Sequence, residues 1–126
     1  LGCAMALASM RIHGDTEIAR TVREKGAKLK TALRAIQSPH IGDVRGIGLM
    51  LGVELTEPGK NAPATTLALS IVKRALRDGI ILLSDSPTAN VLSFTPSFCI
   101  SDEEIAFIAA WLENALANGK WTFQLR

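Results

Sequence analysis

Apolar and polar residues follow two rhythms along the 126 residues, one near 3.6 and one near 2, which separate helices from strands. Leu1 to Ile12 is small and apolar almost throughout, which predicts a helix that needs cover on most of its sides. His13-Gly14-Asp15 interrupts it, and Asp15 is placed to cap a second helix with Glu17 in the favourable first turn. There Ile18, Val22, Leu29, Leu33 and Ile36 recur at helical spacing, while Arg20, Arg23, Glu24, Lys28 and Lys30 supply the wet sides. Pro39 ends that helix by forcing its predecessor toward extended geometry.

The period then drops to two. Leu49, Leu51, Val53 and Leu55 alternate with Met50, Gly52 and Glu54, which predicts a strand with one buried face. Gly46 and Gly48 bracket Ile47 at a reversal that needs positive φ, with a short strand at Asp43–Arg45 before it. Gly52, opposite the leucines, is expected to admit the close approach of another backbone. After the loop at residues 57–61, Leu67, Ala68, Ile71, Val72, Ala75 and Leu76 mark one helical face, with Arg77 in the last turn and Gly79 closing it. Ile80–Leu83 reads as a buried strand, Asp85-Ser86-Pro87 as a turn, and Val91–Thr95 as a strand stopped by Pro96. Ser101-Asp102-Glu103-Glu104 is a capping box that starts a helix with Ile105, Ile108, Leu112 and Leu116 inside, ended by Gly119. Trp121 to Leu125 alternates like a final strand or tail. The predicted fold is α+β: a small, mainly antiparallel sheet covered by helices on one face, preceded by a long N-terminal helical segment.

With 48% apolar and 21% charged residues, the chain has the makings of one hydrophobic core and no disordered signature. The formal charge of +2 comes from scattered Lys and Arg, without the basic stripe and interleaved aromatics of a nucleic-acid surface. Cys3 and Cys99 stand in no disulfide spacing and fit a reducing cytoplasm. Nothing basic precedes LGCAMALASM, so it reads as an apolar helix and not as a signal peptide, and no membrane segment is expected. The missing initiator Met suggests that the chain begins inside something longer.

Site chemistry is sparse. His13 and His40 have no partner at ligand spacing, so no metal site is expected. There is no nucleophile elbow, phosphate loop or HExxH, and the glycines of GIGLMLG precede a strand where a dinucleotide fingerprint would follow one. The acids Asp102, Glu103 and Glu104 read as a solvated first helical turn.

Four stretches, in order, resemble the class III pyridoxal-phosphate-dependent aminotransferases, fold type I enzymes. They are Gly2–Ala8, the helix Ala19–Leu33, the hairpin Gly42–Leu55, and Asn90–Ile100 with the following Ser101–Ile105. The match runs from Leu1 to about Asn118, and Trp121–Arg126 lies outside it. It implies residues 1–37 as a helical segment linking to a large domain upstream, 38–119 as the family's small C-terminal domain and 120–126 as a tail.

The family's Schiff-base lysine and its pyridine and phosphate partners fall upstream of this stretch. Lys25, Lys28, Lys30, Lys60, Lys73 and Lys120 match none of them. No catalytic or cofactor-binding residue is therefore assigned: pyridoxal phosphate belongs to the parent enzyme, and this chain alone is expected neither to bind it nor to turn over. The one substrate-side candidate is Ser93, which occupies the place of an arginine that in many members grips the substrate carboxylate, so an amine substrate or a related reaction is open. Arg45 is expected to be structural. The implied partners are an amine or amino-acid substrate and a second copy of the chain. The alternative is a non-catalytic module, derived from such an enzyme, that self-associates or binds a partner.

Overall fold

The computed structural model describes residues 1–60 and 62–117, so Gly119 and the segment Trp121–Arg126 lie outside the described residues. Helices α1 (Gly2–His13) and α2 (Thr16–Ala35) are followed by strands β1 (Ile41–Ile47), β2 (Met50–Glu57) and β3 (Ala62–Pro63). Helix α3 (Thr65–Arg77), strands β4 (Leu83–Asp85) and β5 (Val91–Phe94), and helix α4 (Asp102–Ala117) complete the order. The sheet runs β1-β2-β5-β4 with every pair antiparallel, and β3 extends the far end of β2. The α+β expectation holds.

The leucine alternation of β2 is the spine of the core. Leu51, Val53 and Leu55 are buried, and their neighbours Val44, Leu92 and Phe94 point to the same face. Against it pack Leu29 and Leu33 of α2, Ala68, Ile71 and Ala75 of α3, and Ile105, Leu112 and Leu116 of α4. Each fully buried leucine contributes about 1.5–3 kcal/mol, so this one face carries most of the hydrophobic stabilisation. Helix α2 is thus integral to the core of the sheet.

Local signals act as the chemistry demands. Asp15 accepts from the Glu17 amide at 2.9 Å, and Ser101 and Glu104 exchange the reciprocal bonds of a capping box at 3.1 and 2.7 Å. Helix α3 ends with Gly79 at φ +81, the Ile80 amide donating to Ala75 O and the Gly79 amide to Leu76 O, a Schellman closure. Helix α2 stops at Ala35, four residues before Pro39, and Ile36 is buried from an extended position just beyond it.

Several expectations need correction. Ile80–Leu83 is not a buried strand: β4 begins only at Leu83, and Ile81 and Leu83 are 87% and 66% exposed. Leu76 is also exposed, so the buried stripe of α3 consists of Ala68, Ile71 and Ala75. The first hairpin strand spans seven residues, not three, and the two-residue reversal is Gly48-Leu49. Gly46 lies within β1, where its φ of +138 and the Met50 carbonyl, 2.1 Å from any added Cβ, exclude a side chain. Gly52 makes room for a side chain and not for a backbone, since its added Cβ would meet Val91 Cγ1 at 3.0 Å.

Candidate functional site

The sheet has a second face, turned away from the helices. Register places Arg45 opposite Gly52, Gly52 opposite Ser93, and Ser93 opposite Leu83, a straight row across all four main strands. Adjacent pairs on that face are Ile47 with Met50, Asp43 with Glu54, and Glu54 with Val91. Ile47 and Met50 are 82% and 68% exposed. The face is therefore mixed, with Asp43, Arg45, Glu54 and Asp85 charged and Ile47, Met50, Val91 and Leu83 apolar.

The Arg45 cluster is self-contained. Arg45 donates to Asp43 Oδ2 at 3.1 Å and also to Glu54 Oε2. The hydrogen bonds to Glu54 and then Asp43 raise its pKa above the ordinary arginine range. With two acids around one guanidinium, the cluster leaves one formal negative charge uncompensated, which repels an incoming carboxylate. Arg45 is a cross-strand clamp on the hairpin.

Ser93 sits mid-row, half-buried, and its hydroxyl has no hydrogen-bond partner among the described residues. It lines a cavity of about 260 Å³ walled mainly by Ile81, Leu82, Leu83, Phe94, Pro96 and Trp111. A second, more open hollow of about 380 Å³ lies beside it, lined by Gly79, Ile80, Pro96 to Ser97, and Phe107, with Glu104 as its charged side chain.

Two positioning devices escaped the sequence reading. Gly26 of α2 lies against the hairpin reversal, where an added Cβ would meet Gly48 O at 2.1 Å, and below it Lys30 Nζ donates to Gly46 O and Arg34 Nη2 to Val44 O, each at 3.0 Å. Helix α2 thereby sets the height of β1. At the other end, Asn90 is 97% removed from solvent: its Nδ2 donates to Leu55 O at 2.9 Å, and its Oδ1 accepts from Ser86 Oγ and Thr88 Oγ1. That knot holds Ser86 and Ala89 at positive φ and anchors β5 at the residue before Val91. A glycine in a helix and an asparagine before a strand carry no such meaning until the partner segment is in place.

His13 Nδ1 approaches Ser9 O at 2.7 Å and His40 Nδ1 approaches Thr56 O at 3.4 Å, so each is engaged by its own neighbourhood. Among the described residues no three His, Cys, Asp or Glu side chains are placed to hold a metal ion, and no helix is long and apolar enough to cross a membrane. Cys3 and Cys99 are both free and exposed.

The profile of the family described as aminotransferase class-III matches residues 1–116. The chain belongs to the class-III aminotransferases. Within the family, the LysW-aminoadipate semialdehyde transaminase of Deinococcus radiodurans is 41% identical over 118 residues, 94% of this chain and 25% of its own length. The 5-aminovalerate aminotransferase DavT of Pseudomonas aeruginosa is 39% identical over 108 residues, 83% of this chain and 25% of its own. Among solved structures, a phospholyase from Arthrobacter in complex with phosphoethanolamine superposes with a TM-score of 0.82 at 26% identity, over 89% of this chain and 27% of that one. The chain spans about a quarter of the length of the curated class-III relatives it matches.

Against that membership, the described residues do not fit pyridoxal phosphate. The amine of Lys25 is taken by Phe98 O and Ile100 O, that of Lys28 by Asp102 at 2.6 Å, and that of Lys30 by Gly46 O. Lys60 and Lys73 are exposed, and neither cavity is lined by a lysine. An aldehyde cofactor with a dianionic phosphate needs an available amine beside a cationic or amide-rich cradle, and the cavity at Ser93 offers apolar walls.

Proposed function

We propose that this chain is the small C-terminal domain of a pyridoxal-phosphate-dependent transaminase, an enzyme that moves an amino group between an amine or amino acid and a keto acid. In this reading residues 1–37 lead in from a large domain, with α2 packing on the sheet as they do so. Residues 38–119 form the small domain and 120–126 a tail. The observation that carries it is the family match over residues 1–116, beside which no lysine among the described residues lines either cavity. The cofactor, its lysine and the chemical steps belong to the remaining polypeptide, in a cytoplasmic homo-oligomer. What this chain brings is the sheet face. Ser93 offers the substrate a neutral hydroxyl where a guanidinium would grip a carboxylate, Arg45 is committed to Asp43 and Glu54, and the neighbouring walls are apolar. Such a surface receives the uncharged end of an amine better than a second carboxylate.

The test is a titration of the purified chain with pyridoxal phosphate, followed by borohydride reduction and intact mass. No specific adduct is expected; stoichiometric reduction onto one lysine would overturn the assignment and make the chain a stand-alone enzyme.

Helix α1 favours self-association as a companion reading. It buries no residue and leaves Leu1, Met5, Leu7, Met10 and Ile12 between 51% and 101% exposed, so it asks for cover from another polypeptide.

A further inference from the structure

In the sheet order β1-β2-β5-β4 the two edges differ in length, seven residues in β1 and three in β4. A long edge strand offers unpaired amides and carbonyls to another chain, and a very short one offers few. The groups that β1 turns outward follow from the hairpin. Its two-residue reversal closes on the hydrogen-bonded pair Ile47–Met50, so Arg45–Gly52 and Asp43–Glu54 also bond across to β2. Val44 and Gly46, between them, direct their amides and carbonyls off the edge. The Leu55 amide donates to Asn90 O at 2.8 Å, which agrees with that alternation, since Leu51, Val53 and Leu55 then bond toward β5.

Both outward carbonyls are taken. Lys30 Nζ donates to Gly46 O at 3.0 Å, and Arg34 donates to Val44 O from Nη2 at 3.0 Å and from Nε at 3.3 Å. With Gly26 against Gly48, residues 26, 30 and 34 of α2 meet residues 48, 46 and 44 in turn. The pitches agree, because four residues of helix advance about 6 Å and two residues of strand about 6.6 Å. Helix α2 therefore runs antiparallel to β1 along its edge and supplies charge-assisted donors where a further strand would place its amides. An antiparallel second copy that pairs Val44 with Gly46 of the partner copy needs these same two acceptors. We propose that Lys30 and Arg34 form an autoinhibitory contact that bars β1 from pairing with a second copy of the chain. Self-association is thereby confined to the exposed apolar face of α1, a consequence that rests on the self-association reading of that helix.

The test uses the full chain carrying Met5→Glu/Leu7→Glu, which removes the apolar face of α1, with and without Lys30→Met/Arg34→Met. Methionine keeps the apolar stems and loses the donors. Sedimentation velocity is run at about 0.5 M salt, which screens the like-charged Arg45 clusters that edge pairing brings together. Loss of the two cations is expected to turn a monomer into a concentration-dependent dimer, in which hydrogen exchange of the Val44 and Gly46 amides slows by about tenfold or more. The swap Lys30→Arg/Arg34→Lys keeps both cations and should stay monomeric. A methionine variant that remains monomeric, or a dimer whose Val44 and Gly46 amides exchange at the monomer rate, would overturn the proposal. Association of the Met5→Glu/Leu7→Glu chain itself would overturn the α1 reading alone if those amides stay unprotected, and the autoinhibitory contact if they are protected. Should circular dichroism show the double methionine variant unfolded, Lys30→Met alone carries the readout: no slowing at the Gly46 amide as concentration rises is refutation.

Discussion

Gly26→Ala sets two physical effects against each other within one methyl group. In the middle of an exposed helix, replacing glycine by alanine stabilises by about 1 kcal/mol through backbone entropy. Here the added Cβ would lie 2.1 Å from Gly48 O, 2.3 Å from Gly48 C and 2.7 Å from Gly48 Cα, whereas ordinary contact begins near 3.4 Å. Helix and hairpin must separate by about 1.3 Å to relieve the closest of these. Neither side yields easily, because Gly48 is held at φ +53 in a two-residue reversal, and the move also stretches the bonds from Lys30 to Gly46 O and from Arg34 to Val44 O. Overpacking of this kind costs about 1–3 kcal/mol, sometimes more, so we expect a net loss near 1 kcal/mol after the helical gain. With a urea slope of about 1–3 kcal/mol/M for a domain of this size, the unfolding midpoint should fall by roughly 0.5 M. Ala27→Gly, one residue along on the exposed side, calibrates the propensity effect alone and should destabilise by about 1 kcal/mol. A Gly26→Ala midpoint equal to or above that of the parent chain would refute the claim that α2 sets the position of the hairpin.

Two further outcomes follow from the remaining contacts. Asp78 accepts from Trp111 Nε1 at 2.8 Å and Arg74 Nε at 3.2 Å, and these bonds, Trp111 first, hold its carboxyl below the ordinary 3.8. A depressed folded pKa stabilises above the ordinary value and is lost as pH falls through the folded one. The Trp111 indole signal should therefore move only below about pH 3.8, and Asp78→Asn should abolish that movement; a variant that keeps the same profile would exclude Asp78 as the cause. On α1, paired Met5→Glu and Leu7→Glu changes should turn a concentration-dependent assembly into a monomer by sedimentation velocity; a parent chain already monomeric at high concentration removes the self-association reading.

Much of this molecule is settled locally, and those parts were readable. The capping box at Ser101, the Schellman glycine at 79, the Asp15 cap and the alternation of Leu51, Val53 and Leu55 are set by neighbours a few residues away, so their chemistry is written in consecutive letters. The family likeness of the hairpin and closing strand also lies in contiguous stretches, and it carried the assignment. What depended on distant partners was not readable. The exposure of Leu83 follows from its place on the sheet face turned away from the helices, a register the sequence cannot supply, so an apolar run passed for a core strand. Gly26 became a contact surface only when the hairpin folded onto α2, and Asn90 became a buried anchor only when Leu55 O arrived beside it. Ser93 could be singled out by comparison with its family, but the row that joins it to Gly52, Arg45 and Leu83 exists only in the register of four strands. Short-range capping and periodicity determine which elements form; the burial of one sheet face and the pairing of strands far apart in the chain decide which side chains share a site.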